Sequence, residues 1–213
     1  LIDATQNLDG YVACSGITKS CAVNLSKMCN DLRLMSSGPR TGLGEINLPA
    51  KQNGSSIMPG KINPVIPEVV NQVAFHVIGN DMTVAMAAEA GQLELNAFEP
   101  IIFYKLFQSI ETIACSVRTL VDNCIAGITA NEERCRNMVE NSVGIITAIC
   151  PYVGYEKAAD MAKEAIRSGT PVRELVIKSQ LLTKEQLDAI LDPFSMTEPG
   201  ISGIEQMKKM GGL

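Results

Sequence analysis

Several residue types that commonly mark a function are scarce in this sequence. The 213 residues include no tryptophan and one histidine, and aromatic residues make up 4% of the chain. A zinc site would therefore need unusual ligands, and the core must be built from aliphatic side chains, alanine and methionine, as helix-on-helix packing allows. Because no uninterrupted apolar run reaches about 18 residues, we predict no membrane-spanning helix. The net charge is −5, and no run of lysine or arginine is dense enough for a nucleic-acid-binding surface.

The cysteines point to a reducing environment. Seven are present, and none forms a Cys-x-x-Cys arrangement. The odd number argues against a disulfide framework. We interpret them as reduced thiols buried on helix faces of a cytoplasmic protein. Cys14, Cys21 and Cys29, seven and eight residues apart, are expected to form one packed stripe of a helix.

The first part of the chain has the pattern of long helices. Residues 3–36 lack proline and repeat apolar residues at helical spacing, such as Val23, Met28, Cys29, Leu32 and Met35. Two further long helices are predicted, one from Pro67 towards Ala90 and one from Pro100 to Gly127. Apolar residues occupy much of the circumference of both, which is typical of helices covered on several sides in a bundle core or a subunit interface.

From Asn131 onwards the predicted helices are shorter and more charged. Asn131 is placed at the cap of a helix that ends at Cys150-Pro151, and another helix is expected over residues 155–168. Thr170-Pro171 begins the next helix. Thr183 with Gln186 makes a capping box for the last one, which Asp192-Pro193 ends.

These patterns predict an all-α fold in two parts. Residues 1–129 would form a long-helix bundle that carries a loop over residues 37–63, and residues 130–200 a small helical C-terminal domain. Residues 201–213, rich in glycine and methionine and basic, are expected to form a mobile tail. The chain begins with Leu1-Ile2 and has neither an initiator methionine nor a signal segment, so we expect it to be the middle of a longer chain.

The stretch between the first two long helices has no helical periodicity. Residues 37–61 contain five glycines and three prolines, and loops of this length inside a domain are usually functional or disordered. The sequence Gly-Ser-Ser-Ile-Met-Pro-Gly-Lys-Ile-Asn-Pro follows from Gly54 to Pro64. A phosphate-binding loop is excluded because five residues separate Gly54 from Gly60, Ile62 replaces the metal-binding hydroxyl, and no strand precedes the loop.

A carboxylate-binding loop that abstracts a proton fits these residues better. Gly54 and Gly60 allow a sharply folded backbone whose N–H groups converge on an anion. Lys61 supplies a point charge, and Asn63 both a donor and an acceptor. A serine can serve as the base only if nearby cations and N–H donors stabilise its alkoxide. On these physical grounds alone a structural Gly-Ser-Ser turn remains the alternative.

The same eleven residues resemble the signature loop of the fumarase/aspartase superfamily, G-S-S-x-M-P-x-K-x-N-P. The flanking segments VIPEVVNQV, NAFEPII, YEKAADMAKEA and LDPFSMTEPGI resemble the ammonia-lyase branch more than the hydratase branch. The resemblance covers the chain to about Ile201. It implies an all-helical fold with a long-helix bundle and a small C-terminal helical domain.

The resemblance also assigns roles within the loop. Ser55 would be the base that removes a proton beside a substrate carboxylate, and Ser56 would contact that carboxylate in its doubly negative form. Lys61 and Asn63 would hold the substrate carboxylates, although Lys61 could instead pair with a surface carboxylate. Gly54 and Gly60 would support the loop.

Other residues have a weaker assignment. Glu68 falls where the family keeps an acidic residue that orients a histidine from another segment, but a glutamate in a first helical turn is also favourable for dipole reasons. His76 is interpreted as a packing histidine. Asn53 stands where the family pattern leads us to expect proline, and Ile62 where it has valine. Phe98, Phe103 and Tyr104 are expected in the core or an interface.

The resemblance implies a cytoplasmic homotetramer with composite active sites that releases ammonia from L-aspartate to give fumarate, reversibly. It implies no organic cofactor, and although divalent cations activate some members, the sequence shows no metal ligands. No nucleic-acid or membrane partner is expected. Two alternatives stay open: a class II fumarate hydratase, or a helical tetramerisation module only. We expect this chain to be inactive by itself.

Overall fold

The computed structural model describes residues 3–54 and 56–211, and most of these residues are helical. The all-α class predicted from the sequence is confirmed. The α-helices are α1 (Asp9–Met35), α2 (Val65–Glu89), α3 (Glu99–Asn123), α4 (Glu132–Glu140), α5 (Ile146–Val153), α6 (Tyr155–Ser168), α7 (Val172–Lys178), α8 (Lys184–Ile190), α9 (Pro193–Thr197) and α10 (Ile204–Lys209). Short 3₁₀ helices span Asp3–Thr5, Ile125–Gly127 and Val143–Ile145, and the two-residue strands β1 (Ile46–Asn47) and β2 (Thr129–Ala130) pair antiparallel. No helix in the described part of the chain is long and apolar enough to cross a membrane.

The chain divides into two compact units between Asn131 and Glu132. The boundary expected from composition lies two residues earlier, after residue 129. The first unit holds α1 to α3, the two strands and the loop between α1 and α2, whereas the second holds the seven shorter helices α4 to α10.

Helix α2 is the centre of the first unit and packs against both α1 and α3. Its buried residues recur every three or four positions, which is the spacing of one helix face. Three separate apolar clusters lie along the unit. The cluster nearest the loop contains Cys29, Leu32, Val70, Leu120 and Cys124, and Ile46 and Leu48 of the loop pack against it.

Polar side chains cross the interface between α1 and α2. Asn71 donates to the Ser26 hydroxyl at 2.8 Å, and the Ser15 hydroxyl donates to Asp81 at 2.8 Å. Lys19 also pairs with Asp81. These contacts join early α1 to late α2 and late α1 to early α2, so the two helices are antiparallel. In the described residues no buried side-chain polar atom lacks a partner, as a stable polar interface requires.

The outer faces of the long helices carry large apolar side chains that are exposed. Phe75 is 62% exposed, Met82 63% and Phe107 65%. Val23 and Met28, which mark the predicted period of α1, are exposed as well.

The expected packed cysteine stripe is wrong for two of its three members. Cys29 is buried, but Cys14 and Cys21 are exposed. The spacing of the cysteines places the three on related turns of α1, whereas α2 and α3 cover only one side of that helix.

The second unit has one continuous apolar core. Its buried residues come from the 3₁₀ turn before α5 and from α5, α6, α7, α8 and α10. They are Ile145, Ile149, Ala165, Val172, Val176, Leu187, Ile190 and Met207. The predicted capping box is confirmed, because Thr183 accepts from the Gln186 N–H and the Gln186 side chain accepts from the Thr183 N–H.

Two expectations for the second unit differ from the structure. The single helix predicted from Asn131 to Cys150 is divided into α4, a 3₁₀ turn and α5, because Ser142 adopts an extended conformation and accepts from the Gly144 N–H. Helix α5 then continues through Pro151 to Val153. Residues 201–211 are not a mobile tail: α10 lies there, and Met207, 1% exposed, joins the core. Two apolar side chains, Ile204 and Met207, on a six-residue helix give little sequence signal.

Candidate active-site loop

The loop between α1 and α2 is tied at its base to the segment that follows α3. Strand β1 pairs with β2, and the Asn131 N–H donates to the Glu45 carbonyl at 2.8 Å. The Asn131 side chain donates to the Gly44 carbonyl at 2.7 Å, and the Asn47 side chain donates to the Asn131 amide oxygen at 2.7 Å. The sequence predicts a capping role for Asn131, and local spacing does not reveal these bonds because they cross more than 80 residues.

A close contact between Pro49 of the loop and Gly127, which follows α3, also fixes the base of the loop. A Cβ atom on Gly127 would lie 2.6 Å from Cγ of Pro49, so only glycine fits at that position without a shift of the chain. The arm of the loop that leads to the signature residues is therefore held to the segment after α3 both by hydrogen bonds and by this tight contact.

The signature residues form a hairpin with a narrow neck. The Gly54 N–H donates to the Lys61 carbonyl at 2.7 Å, and Asn53 forms an isolated antiparallel bridge with Ile62. Within the hairpin the Lys61 N–H donates to the Met58 carbonyl at 3.2 Å. Asn53, a departure from the family pattern, is thus part of the neck itself.

The two glycines of the hairpin serve different physical needs. A Cβ on Gly54 would lie 2.6 Å from the Lys61 carbonyl oxygen and 3.0 Å from Oδ1 of Asn63, so the neck closes only around glycine. Gly60 has a φ of +82° with open space around it, so its requirement is conformational. The sequence predicts that both glycines support the loop, and the two local geometries explain such a role.

The structure places the predicted polar residues on this hairpin. Ser56 and Lys61 are exposed, whereas Asn63 is half-buried and its side chain donates to the Gly54 carbonyl at 3.4 Å. Ser55 lies outside the described residues. Asn63 therefore helps to hold the hairpin neck together, a contact that the motif does not reveal.

Glu68 lies in the first turn of α2, directly after the hairpin. Its carboxylate is 3.8 Å from the Arg33 guanidinium near the end of α1, and Arg33 also donates to Asn71 at 3.3 Å. Both charged side chains are more than one-third exposed, so the ion pair contributes little stability. Sequence reasoning missed Arg33 because its nearness to Glu68 depends on the antiparallel packing of α1 and α2.

His76, interpreted from the sequence as a packing histidine, has a polar partner but is not buried. His76 is exposed, and its Nε2 lies 3.1 Å from the Asn80 side-chain nitrogen. That nitrogen also donates to the Ser109 hydroxyl at 3.1 Å and so links α2 to α3. His76 therefore belongs to a polar contact between helices, eight residues beyond Glu68.

The hairpin borders an open cleft of about 610 Å³. Both arms of the hairpin line it, with residues 50–53 on one side and residues 59–62 on the other. Lys51 and Lys61 are the charged residues of this lining. Across the described ranges, no group of three or more histidine, cysteine, aspartate or glutamate side chains could hold a metal ion.

The hairpin after a long helix, the long-helix bundle and the small helical unit are the features expected of a lyase of the fumarase/aspartase type. Two family descriptions match the chain: "Lyase" over residues 1–79 and "Fumarase C C-terminus" over residues 145–198. The chain belongs to the fumarase/aspartase superfamily.

Within that superfamily, the chain is similar to curated aspartate ammonia-lyases. It is 59% identical to one from Bacillus sp over 95% of its own length and 43% of the relative's. It is 56% identical to one from Bacillus subtilis over 98% of its own length and 44% of the relative's. The chain thus spans less than half the length of these curated relatives.

Solved structures share the fold. The chain superposes on a fumarate lyase:delta crystallin from Brucella melitensis, bound to cobalt, with a TM-score of 0.87 and 54% identity. The match covers 93% of this chain and 43% of the Brucella chain. The chain also superposes on a class II fumarase from Schistosoma mansoni with a TM-score of 0.85 and 36% identity. This match covers 93% of this chain and 41% of the Schistosoma chain.

Proposed function

We propose that this protein releases ammonia from L-aspartate to give fumarate, reversibly, as a carbon–nitrogen lyase. The observation that carries the proposal is the identity of 52–59% to aspartate ammonia-lyases over nearly the whole chain. The hairpin GSSIMPGKINP supports it, because its folded neck presents Lys61 and Ser56 to solvent beside an open cleft.

The proposed chemistry begins with removal of a proton from the carbon next to a carboxylate, with Ser55 as the base. The electron pair of the broken C–H bond moves into the carboxylate, which becomes doubly negative. Lys61 and the loop N–H groups offset this charge, and Ser56 contacts the same carboxylate. The electron pair then returns to form the carbon–carbon double bond, and the amine leaves from the neighbouring carbon.

The charge of Lys61 serves two purposes in this proposal. A serine hydroxyl loses its proton only far above neutral pH, and a nearby ammonium lowers the cost of the alkoxide. The same ammonium attracts the dicarboxylate substrate. Asn63, which bonds across the hairpin neck, would hold the substrate while fixing Lys61 in place. Gly54 and Gly60 allow the folded backbone that brings these groups together, and Glu68 would orient a residue from another segment.

We test the reaction by fumarate absorbance with the full-length protein, in separate reactions with L-aspartate and L-malate. L-aspartate should produce fumarate, and Ser55→Ala should lower the rate by about a thousandfold, as for loss of a general base. Ser168→Ala, an exposed serine in the second unit, is the matched control and should keep the rate.

A fumarate signal from L-malate alone would favour the second candidate, a class II fumarate hydratase. That candidate is supported by the 36% identity to the Schistosoma fumarase. An undiminished rate in Ser55→Ala would overturn the proposed base under either substrate. We further propose that no organic cofactor takes part, so exhaustive dialysis should leave the rate unchanged.

We also propose that the protein assembles as a cytoplasmic homotetramer whose active sites combine segments of more than one subunit. The exposed apolar faces of α2 and α3 support assembly, because surfaces of this kind are rare on monomers. Phe75→Asp combined with Phe107→Asp should shift the light-scattering mass to smaller species. An unchanged mass would contradict the use of these faces, and a monomeric wild-type protein would leave only the lyase proposal.

A further inference from the structure

Lys51 lies on the arm of the hairpin opposite Lys61. The two lysines are ten residues apart in sequence, and the hairpin neck joins their arms through the 2.7 Å hydrogen bond from Gly54 to Lys61. Both line the same open cleft of about 610 Å³, whose other walls are Ala50, Gln52, Asn53, Pro59, Gly60 and Ile62. The geometry of the hairpin therefore brings a second ammonium group to the cleft, outside the signature residues.

The positive charge of this cleft has no counter-charge in its walls. None of the eight lining residues is acidic. In residues 3–54 and 56–211, neither Lys51 nor Lys61 belongs to a salt bridge. The chain as a whole carries a net charge of −5, so the cleft is a positively charged site on a negatively charged protein. Such a focus of one sign raises the local concentration of oppositely charged ligands.

We propose that Lys51 is a second carboxylate-binding residue, which together with Lys61 selects small dianions over monoanions at this cleft. This inference rests on the proposed function, in which the substrate is a dicarboxylate. Lysine suits the role because its ammonium is a point charge on a flexible stem and does not demand a fixed ligand orientation. Gln52 and Asn53, beside Lys51 in the same wall, add amide donors to the cleft.

The expected effect is modest and depends on salt. Lys51 is exposed, so water screens its charge, and its loss should weaken binding of a dicarboxylate about two- to fivefold at low ionic strength. At about 1 M salt, where the screening length is roughly 3 Å, the difference should vanish. Binding of a monocarboxylate should change less than binding of a dicarboxylate, since only the dianion can use both ammonium groups.

The test is calorimetric titration of the full-length protein with succinate, a dicarboxylate that cannot eliminate ammonia, and with butyrate. Lys51→Gln is compared with Lys157→Gln, an exposed lysine of the second unit whose replacement changes the net charge equally. We expect Lys51→Gln alone to weaken succinate binding, to spare butyrate and to raise the KM for L-aspartate by a similar factor.

Two outcomes separate this inference from the proposed function. Equal succinate affinity in the two variants, or equal losses for succinate and butyrate, would overturn the role of Lys51 even in an active enzyme. Loss of succinate binding in Lys51→Gln without any fumarate release by the wild-type protein would support the dianion cleft and overturn the lyase assignment. Circular dichroism of both variants verifies that the fold is intact.

Discussion

The two units of this chain differ in how some of their helices begin. The three long helices of the first unit span 25 to 27 residues, and none has a side-chain hydrogen bond at its N-cap. Among the short helices of the second unit, α8 has a complete capping box, and Asp192 caps α9 by accepting from the Ser195 N–H. These two caps add to packing at helices that are too short to be stable alone. Helices α5, α6, α7 and α10 have no side-chain hydrogen bond at their N-caps and rely on packing, as the long helices do.

The apolar cores of the two units also differ. The first unit has three separate apolar clusters, with buried serine and asparagine between its helices and large apolar side chains on its outer faces. The second unit has one continuous core. The difference between the cores is in keeping with the assembly that we propose through the exposed faces of α2 and α3.

The largest expected effect concerns the core of the second unit. Ile190 is fully buried, and Ile190→Ala should lower the free energy of unfolding by about 2–5 kcal/mol, because it removes buried methyl groups and leaves a cavity. Ile166 on α6 is 73% exposed, and Ile166→Ala should change the free energy of unfolding by less than about 0.5 kcal/mol. Urea unfolding followed by circular dichroism measures both. Equal losses would contradict a single core in this unit.

The second prediction concerns the hairpin neck of the first unit. Gly54→Ala places a Cβ against the Lys61 carbonyl and should lower fumarate release about a hundredfold, since small displacements of reacting groups are costly. Gly60→Ala adds only strain of about 1–2 kcal/mol in open space and should cost less activity. Steady-state rates of both variants decide the matter. A greater loss at Gly60 would mean that backbone conformation, rather than the close approach, limits the loop.

The third prediction is an alkaline loss of stability in the first unit. Burial raises the pKa of the Cys29 thiol from its ordinary 9.0 to about 11, and the neighbouring Cys124 adds to the shift. The folded chain therefore holds this proton more tightly than the unfolded chain. The resulting stability, on the order of 3 kcal/mol, is fully present below pH 9 and lost as the pH rises towards 11.

Urea unfolding at pH 8 and pH 10.5 tests this linkage. The free energy of unfolding should fall more steeply with pH in the wild-type protein than in Cys29→Ala, which cannot ionise at that position. Parallel slopes would show that the Cys29 thiol is not protected by the cluster beside the loop.

The smallest expected effect is at a helix cap of the second unit. Thr183→Ala removes the hydroxyl that accepts from the Gln186 N–H and should cost about 1 kcal/mol, whereas Thr183→Ser should retain most of the stability. The urea midpoints of the two variants measure the difference. Equal midpoints for alanine and serine would show that α8 depends on core packing rather than on its cap.

Features of the fold that depend on interactions between nearby residues can be predicted from the sequence, whereas those that depend on contacts between distant segments cannot. Helices α6 and α8 are predictable from Gly169 and from the Thr183–Gln186 capping box, because caps act over a few residues. The division between α4 and α5 is not, since periodicity continues across Ser142. Helix α10 has the composition of a tail, and the burial of Met207 depends on helices far away in sequence.

The site divides in the same way. The hairpin motif predicts Ser56, Lys61 and Asn63 as one group, and the structure brings them into one loop; Ser55 lies outside the described residues. Three other residues carry no local signal, because their roles depend on which segments meet. For Arg33 these are α1 and α2, for Asn131 the exit of α3 and β1, and for Lys51 the two arms of the hairpin.

The amino-acid sequence by itself determined the helical class, the position of the loop and the family to which the chain belongs, because periodicity, caps and the eleven-residue motif are local properties. Only the tertiary structure decided which faces of the long helices stay open, how the loop is tied at its base, and which cations share its cleft. Those features arise from contacts between separate segments, ten residues apart for the two lysines of the cleft and more than 80 for the ties of Asn131, and the periodicity along one segment carries no information about them.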